Sequence, residues 1–128
     1  MKNKYLVFIF LIILSSCRTE ISKDNLQGTW TITNYESSKP NSSLLEIKKA
    51  DEMLNKYTFK VDNTLEILSK RTGKITNANW ELKPEINKLT LSNNPKEFII
   101  LNLTNNKMLL LQDFATIGRF TITLEKDK

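Results

Sequence analysis

The sequence predicts an all-β domain, an eight-stranded antiparallel up-and-down barrel with one short helix after the first strand. Three observations predict it. From residue 26 onward, short segments alternate apolar and polar residues with a period of two, as strands with one buried face do. Turn-forming Asn, Asp, Gly and Pro residues separate these segments every 8 to 12 residues. Only one stretch with helical spacing interrupts them, so successive strands after it are joined by tight turns and pair antiparallel. Eight strands with one apolar face each are the number that closes a small barrel, whose interior is filled by side chains or holds one small ligand. Closure also removes exposed strand edges.

The first strand is LQGTWTITNYE, residues 26 to 36, with Leu26, Gly28, Trp30 and Ile32 on one face and Thr29, Thr31 and Thr33 on the other. SSKPN, residues 37 to 41, is a loop by composition. The stretch that follows spaces Leu44, Ile47, Ala50 or Lys48, and Leu54 close to a helical period, and Ser43 with Glu46 stands as a capping box. At Tyr57 the period changes to two. YTFKV places Tyr57, Phe59 and Val61 inward, Asp62-Asn63 turns the chain, and TLEIL returns with Leu65 and Ile67 inward.

After RTGKI, the segment NANWELK, residues 77 to 83, turns Ala78, Trp80 and Leu82 inward. Pro84 to Asn87 makes a turn before KLTLS, with Leu89 and Leu91 inward, and Asn93-Asn94-Pro95 makes the next. EFIILNL (97–103) contributes Phe98 and Ile100, KMLLLQDF (107–114) contributes Leu110, and after a short ATIG connection RFTITLEK (119–126) contributes Phe120 and Ile122. Two of these strands are apolar on both faces: Ile99, Leu101, Leu109 and Leu111 point outward and require a cover. The helix around Leu44 to Leu54 is the favoured cover, with a partner protein or a lipid surface as the other occupants.

The N-terminus reads as an export signal. Lys2 and Lys4 precede an unbroken apolar run from Tyr5 to Leu14, and Ser15-Ser16 supplies small residues before Cys17. Ten helical residues rise ~15 Å, half of a hydrocarbon core, so the run is too short to span a membrane. Leu14-Ser15-Ser16-Cys17 resembles the lipobox of bacterial lipoproteins, which implies cleavage before Cys17 and attachment of lipid to its sulfur. Residues 1–16 are then the signal peptide, 17–24 the lipidated cysteine and a polar tether, and 25–128 the barrel domain. Arg18 to Asp24 has no period, and seven residues reach at most ~25 Å. Removing Lys2 and Lys4 lowers the formal charge from +5 to +3, without a basic run, so nucleic acid is not an expected partner. Cys17 is the sole cysteine, so the exported domain has no disulfide and must hold its fold by core packing.

Gly28-x-Trp30 on the first strand, the phrase YTFKVDNTLEIL, the later NWELKPEINKLTLS and the closing ITLEK together resemble the lipocalin-like (calycin) lipoproteins of Gram-negative bacteria, over about residues 25 to 128. The resemblance implies a barrel closed at one end by Gly28 and Trp30, with a basic residue of the last strand packed across the indole; Arg119, which opens that strand, is the matching position. Arg18 rather than aspartate follows the anchor, so the inner-membrane retention rule known for some bacterial lipoproteins does not apply and an outer-membrane address is expected, in either leaflet. Larger lipocalins are longer and often carry disulfides and a C-terminal helix, so a smaller interior is expected here.

Catalytic chemistry is scarce. The chain has no histidine, its one thiol is assigned to the lipid, and fourteen carboxylates form no spaced acid–base motif. Gly28, Gly73 and Gly118 are too scattered for a phosphate cradle. A non-enzymatic protein without cofactor or metal is expected. The functional surface left is the barrel lining: Trp30, Ile32, Tyr57, Phe59, Leu65, Ile67, Trp80, Leu82, Phe98, Ile100, Leu110, Phe120 and Ile122. It either fills the interior or shapes a pocket for a small hydrophobic ligand. Apart from the membrane reached through the lipid, the other expected partner is an envelope protein docked on the outer face or loops, with an inhibitor barrel as its special case.

Overall fold

The computed structural model describes residues 19–39, 43–92, 96–114 and 118–128. The signal segment, the lipobox and Cys17, the end of the SSKPN loop, the Asn93-Asn94-Pro95 turn and most of the ATIG connection lie outside the described residues. A short helix α1 (Lys23–Leu26) leads into β1 (Gly28–Ser37), and α2 (Ser43–Glu52) follows. Then come β2 (Lys56–Phe59), β3 (Thr64–Leu68), β4 (Ile75–Lys83), a 3-10 turn (Pro84–Ile86), β5 (Lys88–Leu91), β6 (Lys96–Leu103), β7 (Lys107–Phe114) and β8 (Gly118–Lys126). Each strand pairs antiparallel with the next, and β8 returns to pair with β1. The barrel is closed, so none of its eight strands is left as an edge.

Period two carries inward residues along each strand, but two strands change phase. In β1 the register shifts between Ile32 and Asn34, so the inward set runs Trp30, Ile32, Tyr35. In β6 a shift between Ile100 and Asn102 gives Phe98, Ile100, Leu103. A bulge sets two residues against one and thereby swaps the faces beyond it. Tyr35 and Leu103 therefore face inward where strict alternation turns them out. Along β7 and β8 the alternation is unbroken, with Met108, Leu110 and Gln112 facing Phe120, Ile122 and Leu124.

One end of the barrel is shut by aromatic side chains. Leu26 belongs to α1 rather than to the first strand, and its carbonyl accepts the Trp30 indole N–H at 2.9 Å. Trp80 donates its indole N–H to the Lys60 carbonyl at 3.1 Å and meets Phe59 edge-on at 5.3 Å. Both indoles are buried, and a buried indole N–H without an acceptor costs stability, so these two bonds let tryptophan serve as a plug. The opposite end, the mouth, lies under α2.

Four expectations are corrected by this packing. Residues 19–24 are not a free tether: the Thr19 backbone N–H donates to the Leu103 carbonyl at 2.9 Å, its hydroxyl donates to Asn105 at 2.9 Å, and Ile21 packs on the core. Val61 is 69% exposed, because β2 stops at Phe59 and the turn begins. The inner face of α2 carries Leu45, with Leu44 and Met53 beside it, whereas Ile47 is 55% exposed and Leu54 leaves the helix at φ 67°. Finally, α2 does not cover the outer faces of β6 and β7. It packs on β1 and reaches across the mouth, leaving Ile99 and Leu101 39% and 48% exposed.

Candidate functional site

Two places were expected to matter, the closed end and the lining. At the closed end, Gly28 has φ +120°, and a methyl group there would stand 2.7 Å from Lys126 Cε. That lysine, not Arg119, packs on the tryptophan: Lys126 Nζ lies 5.4 Å from the Trp30 ring centroid. The register explains the correction. In the antiparallel β1–β8 pair Trp30 stands opposite Lys126, at the end of β8, whereas Phe120, next to Arg119, stands opposite Ser37. Arg119 is exposed at the mouth end, where Nε lies 3.5 Å from Asp113. Nearby, Asp127 accepts from Lys56 and from the Thr31 hydroxyl, which together hold its carboxyl below the usual carboxylate range.

Of the lining residues, Trp30, Phe59, Leu65, Trp80 and Ile100 are buried in the lower barrel, Phe120 is buried higher up between Tyr35 and Phe114, and Ile67 and Leu82 are only partly buried. Ile32, Tyr57, Phe98, Leu110 and Ile122 wall the mouth. The space they leave is about 10 Å³, roughly one water molecule. The mouth is thus packed.

The mouth also holds polar groups that period two did not single out. Tyr35 and Gln112 point inward from β1 and β7, Lys96 comes from the start of β6, and Glu52 arrives from the last turn of α2. The Tyr35 hydroxyl donates to Glu52 Oε2, Lys96 Nζ lies 3.3 Å from Oε1, and Lys48, one turn back on α2, lies 3.9 Å from Oε2. Burial, and then the neighbouring Glu52 carboxylate, push the phenols of Tyr35 and Tyr57 well above the usual tyrosine range. Both stay neutral at physiological pH, and Tyr35 donates to Glu52. The helix end that brings Glu52 here is pinned: Leu54 N–H donates to the Ile32 carbonyl and Ile32 N–H to the Asn55 carbonyl, each at 2.9 Å.

Sequence could have revealed part of this set. Gln112 continues the inward phase of Met108 and Leu110, so its burial was legible. Tyr35 was hidden by the bulge, and nothing local marks Lys96 or Glu52, whose meeting is a product of closure. Chemically, the arrangement is an apolar cup with donors converging on one carboxylate at its rim.

No protein-family model matches this sequence, and no curated protein matches it. Among solved structures the chain is similar to an odorant-binding protein at a TM-score of 0.51 and 11% identity, over 86% of this chain and 75% of that one. It is also similar to a bovine odorant-binding protein complexed with its natural ligand, at a TM-score of 0.49 and 15% identity, over 86% and 76%. At this identity the likeness concerns the fold, which is a lipocalin-like closed barrel.

Proposed function

We propose that this chain is a lipid-anchored lipoprotein of the outer membrane whose barrel binds a small, largely apolar ligand at the mouth beneath α2, without catalysis. The single observation that carries the binding reading is the mouth itself. Apolar walls surround a few convergent polar groups, as in sites that hold a small molecule and orient it. The closed space of about 10 Å³ admits no such ligand, so binding requires α2 to shift.

The anchor is read from Lys2, Lys4, the Tyr5–Leu14 run and Leu14-Ser15-Ser16-Cys17. Several acyl chains at ~0.8 kcal/mol per buried methylene make such an anchor effectively permanent. Labelling cells with radioactive palmitate and fractionating the envelope tests it. Wild type should carry label in the outer membrane, and Cys17→Ser should carry none. For the barrel, native extraction followed by mass spectrometry should recover an apolar molecule in stoichiometric amount. An empty protein that also fails to bind an apolar dye would sink the ligand reading.

One observation favours a second reading, an envelope interaction module with the barrel as scaffold: Ile99 and Leu101 remain uncovered on the outer face, with Leu109 and Leu111 half-buried beside them. A photo-crosslinking residue at position 99 or 101 should capture a discrete protein under that reading and only lipid or nothing otherwise.

A further inference from the structure

The carboxylate at the mouth is supplied by α2, whereas two of the groups that meet it, Tyr35 and Lys96, belong to the barrel wall. Tyr35 is 2% exposed on β1, and Lys96 stands at the start of β6. A buried phenol is costly unless an acceptor meets it, and Lys96, partly exposed at the rim, is drawn to the same acceptor. Glu52 meets both, Tyr35 through Oε2 and Lys96 through Oε1 at 3.3 Å. Its remaining neighbour, Lys48, sits on the same helix four residues back.

From this division, and resting on the ligand-binding reading above, we infer that the wall of the mouth is a carboxylate site, that Glu52 is its built-in occupant, and that the ligand is an amphipathic carboxylic acid. When the Glu52 end of α2 shifts, giving up the two backbone bonds that Ile32 makes with Leu54 and Asn55, the acid's carboxylate takes the place of Glu52 on Tyr35 and Lys96. Its tail lies against Ile32, Phe98, Leu110 and Ile122, which already wall the space. Glu52 leaves together with Lys48 and is not stranded without a counter-charge. The exchange conserves the donor–acceptor count at the wall, which a neutral apolar molecule of equal size cannot do, because it would leave the phenol and ammonium unmatched. Selectivity for the acid over its alcohol then arises from the wall, and the helix sets how hard the acid must compete.

The test compares three probes with one tail, octanoate, octanol and octylamine, titrated by calorimetry into the purified full chain. Octanoate should bind more tightly than octanol. Glu52→Gln, which removes the internal competitor's charge, should strengthen octanoate binding by about tenfold and leave octanol unchanged, the factor expected of one charge-assisted contact. Lys96→Met and Tyr35→Phe should each weaken octanoate binding by about tenfold, with thermal melts confirming that the variants fold. Equal binding of octanoate and octanol in every variant would overturn the carboxylate site while leaving the ligand reading intact. Preference for octylamine, lost in Glu52→Gln, would also overturn it, since Glu52 would then be the recognising group and not a stand-in. If none of the three binds to wild type or Glu52→Gln, both this inference and the ligand reading fall.

Discussion

At the scale of single residues, the two tyrosines and the two basic positions on β8 are the most informative. Tyr35 and Tyr57 keep their protons in the fold because burial, and then Glu52, oppose the phenolate. An unfolded tyrosine titrates near ~10, so above that pH the folded chain holds more protons than the unfolded one. The contribution of these two phenols to stability is therefore complete below about pH 10 and falls as pH rises toward the folded values, by up to ~1.4 kcal/mol per pH unit for each phenol. Thermal melts across the alkaline range should show this decline, and Tyr35→Phe should make it shallower. A decline of equal slope in that variant would refute the assignment. On β8, Lys126→Ala should cost ~0.5–2 kcal/mol through its lost contact with the Trp30 ring, and Arg119→Ala less than ~0.5 kcal/mol, because its pairing with Asp113 is exposed. Denaturant titrations of the two variants would reverse the assignment if Arg119→Ala proved the costlier.

At the scale of elements, α2 shows where apolar periodicity misleads. Leu44, Ile47, Ala50 and Leu54 make a reasonable stripe on paper, yet the side toward the barrel carries Leu44, Leu45, Lys48 and Glu52. The reason lies in the surface it meets. The mouth offers Tyr35, Lys96 and the Phe114 ring, so the helix presents charged groups beside one buried leucine. Leu45→Ala should cost ~2–4 kcal/mol and Ile47→Ala within ~0.5 kcal/mol, measured by chemical unfolding. Equal costs would mean that the helix packs the other way round. The strands were far more legible, since their alternation needs only a core on one side. It failed where β1 and β6 bulge, and the residues lost there were Tyr35 and Leu103.

At the scale of the whole molecule, closure of β8 on β1 gives the barrel two unlike ends. Thr19, the first described residue, lies at the closed end beside Leu103 and Asn105, and exposed Val61, Ile86 and Leu101 belong to turns or strand ends of that same end. With the proposed anchor at Cys17, two residues before Thr19, only ~7 Å of extended chain separates the lipid from the barrel. The closed end should then face the bilayer and the α2 mouth the aqueous side. Nitroxides attached at position 86 or 101 of the full lipoprotein in vesicles should contact lipid-soluble relaxation agents, and one at position 71, on the β3–β4 turn, should not. Equal exposure at all three positions would show that the barrel tumbles freely on its anchor.

The sequence by itself determined the number and order of the strands, the identity of most inward residues and the absence of histidine from the chain, and it is the sole ground for the proposed anchor at Cys17. These depend on local period, turn residues and inventory, which are properties of neighbouring positions. The tertiary structure decided which lysine meets Trp30, which face of α2 is inner, and that Tyr35, Lys96 and Glu52 converge. Those three residues come from β1, β6 and α2, and only the register of a closed barrel, with its bulges, brings them within reach of one another. Local pattern can specify that a residue turns inward; what it meets there depends on how the strands are staggered around the ring.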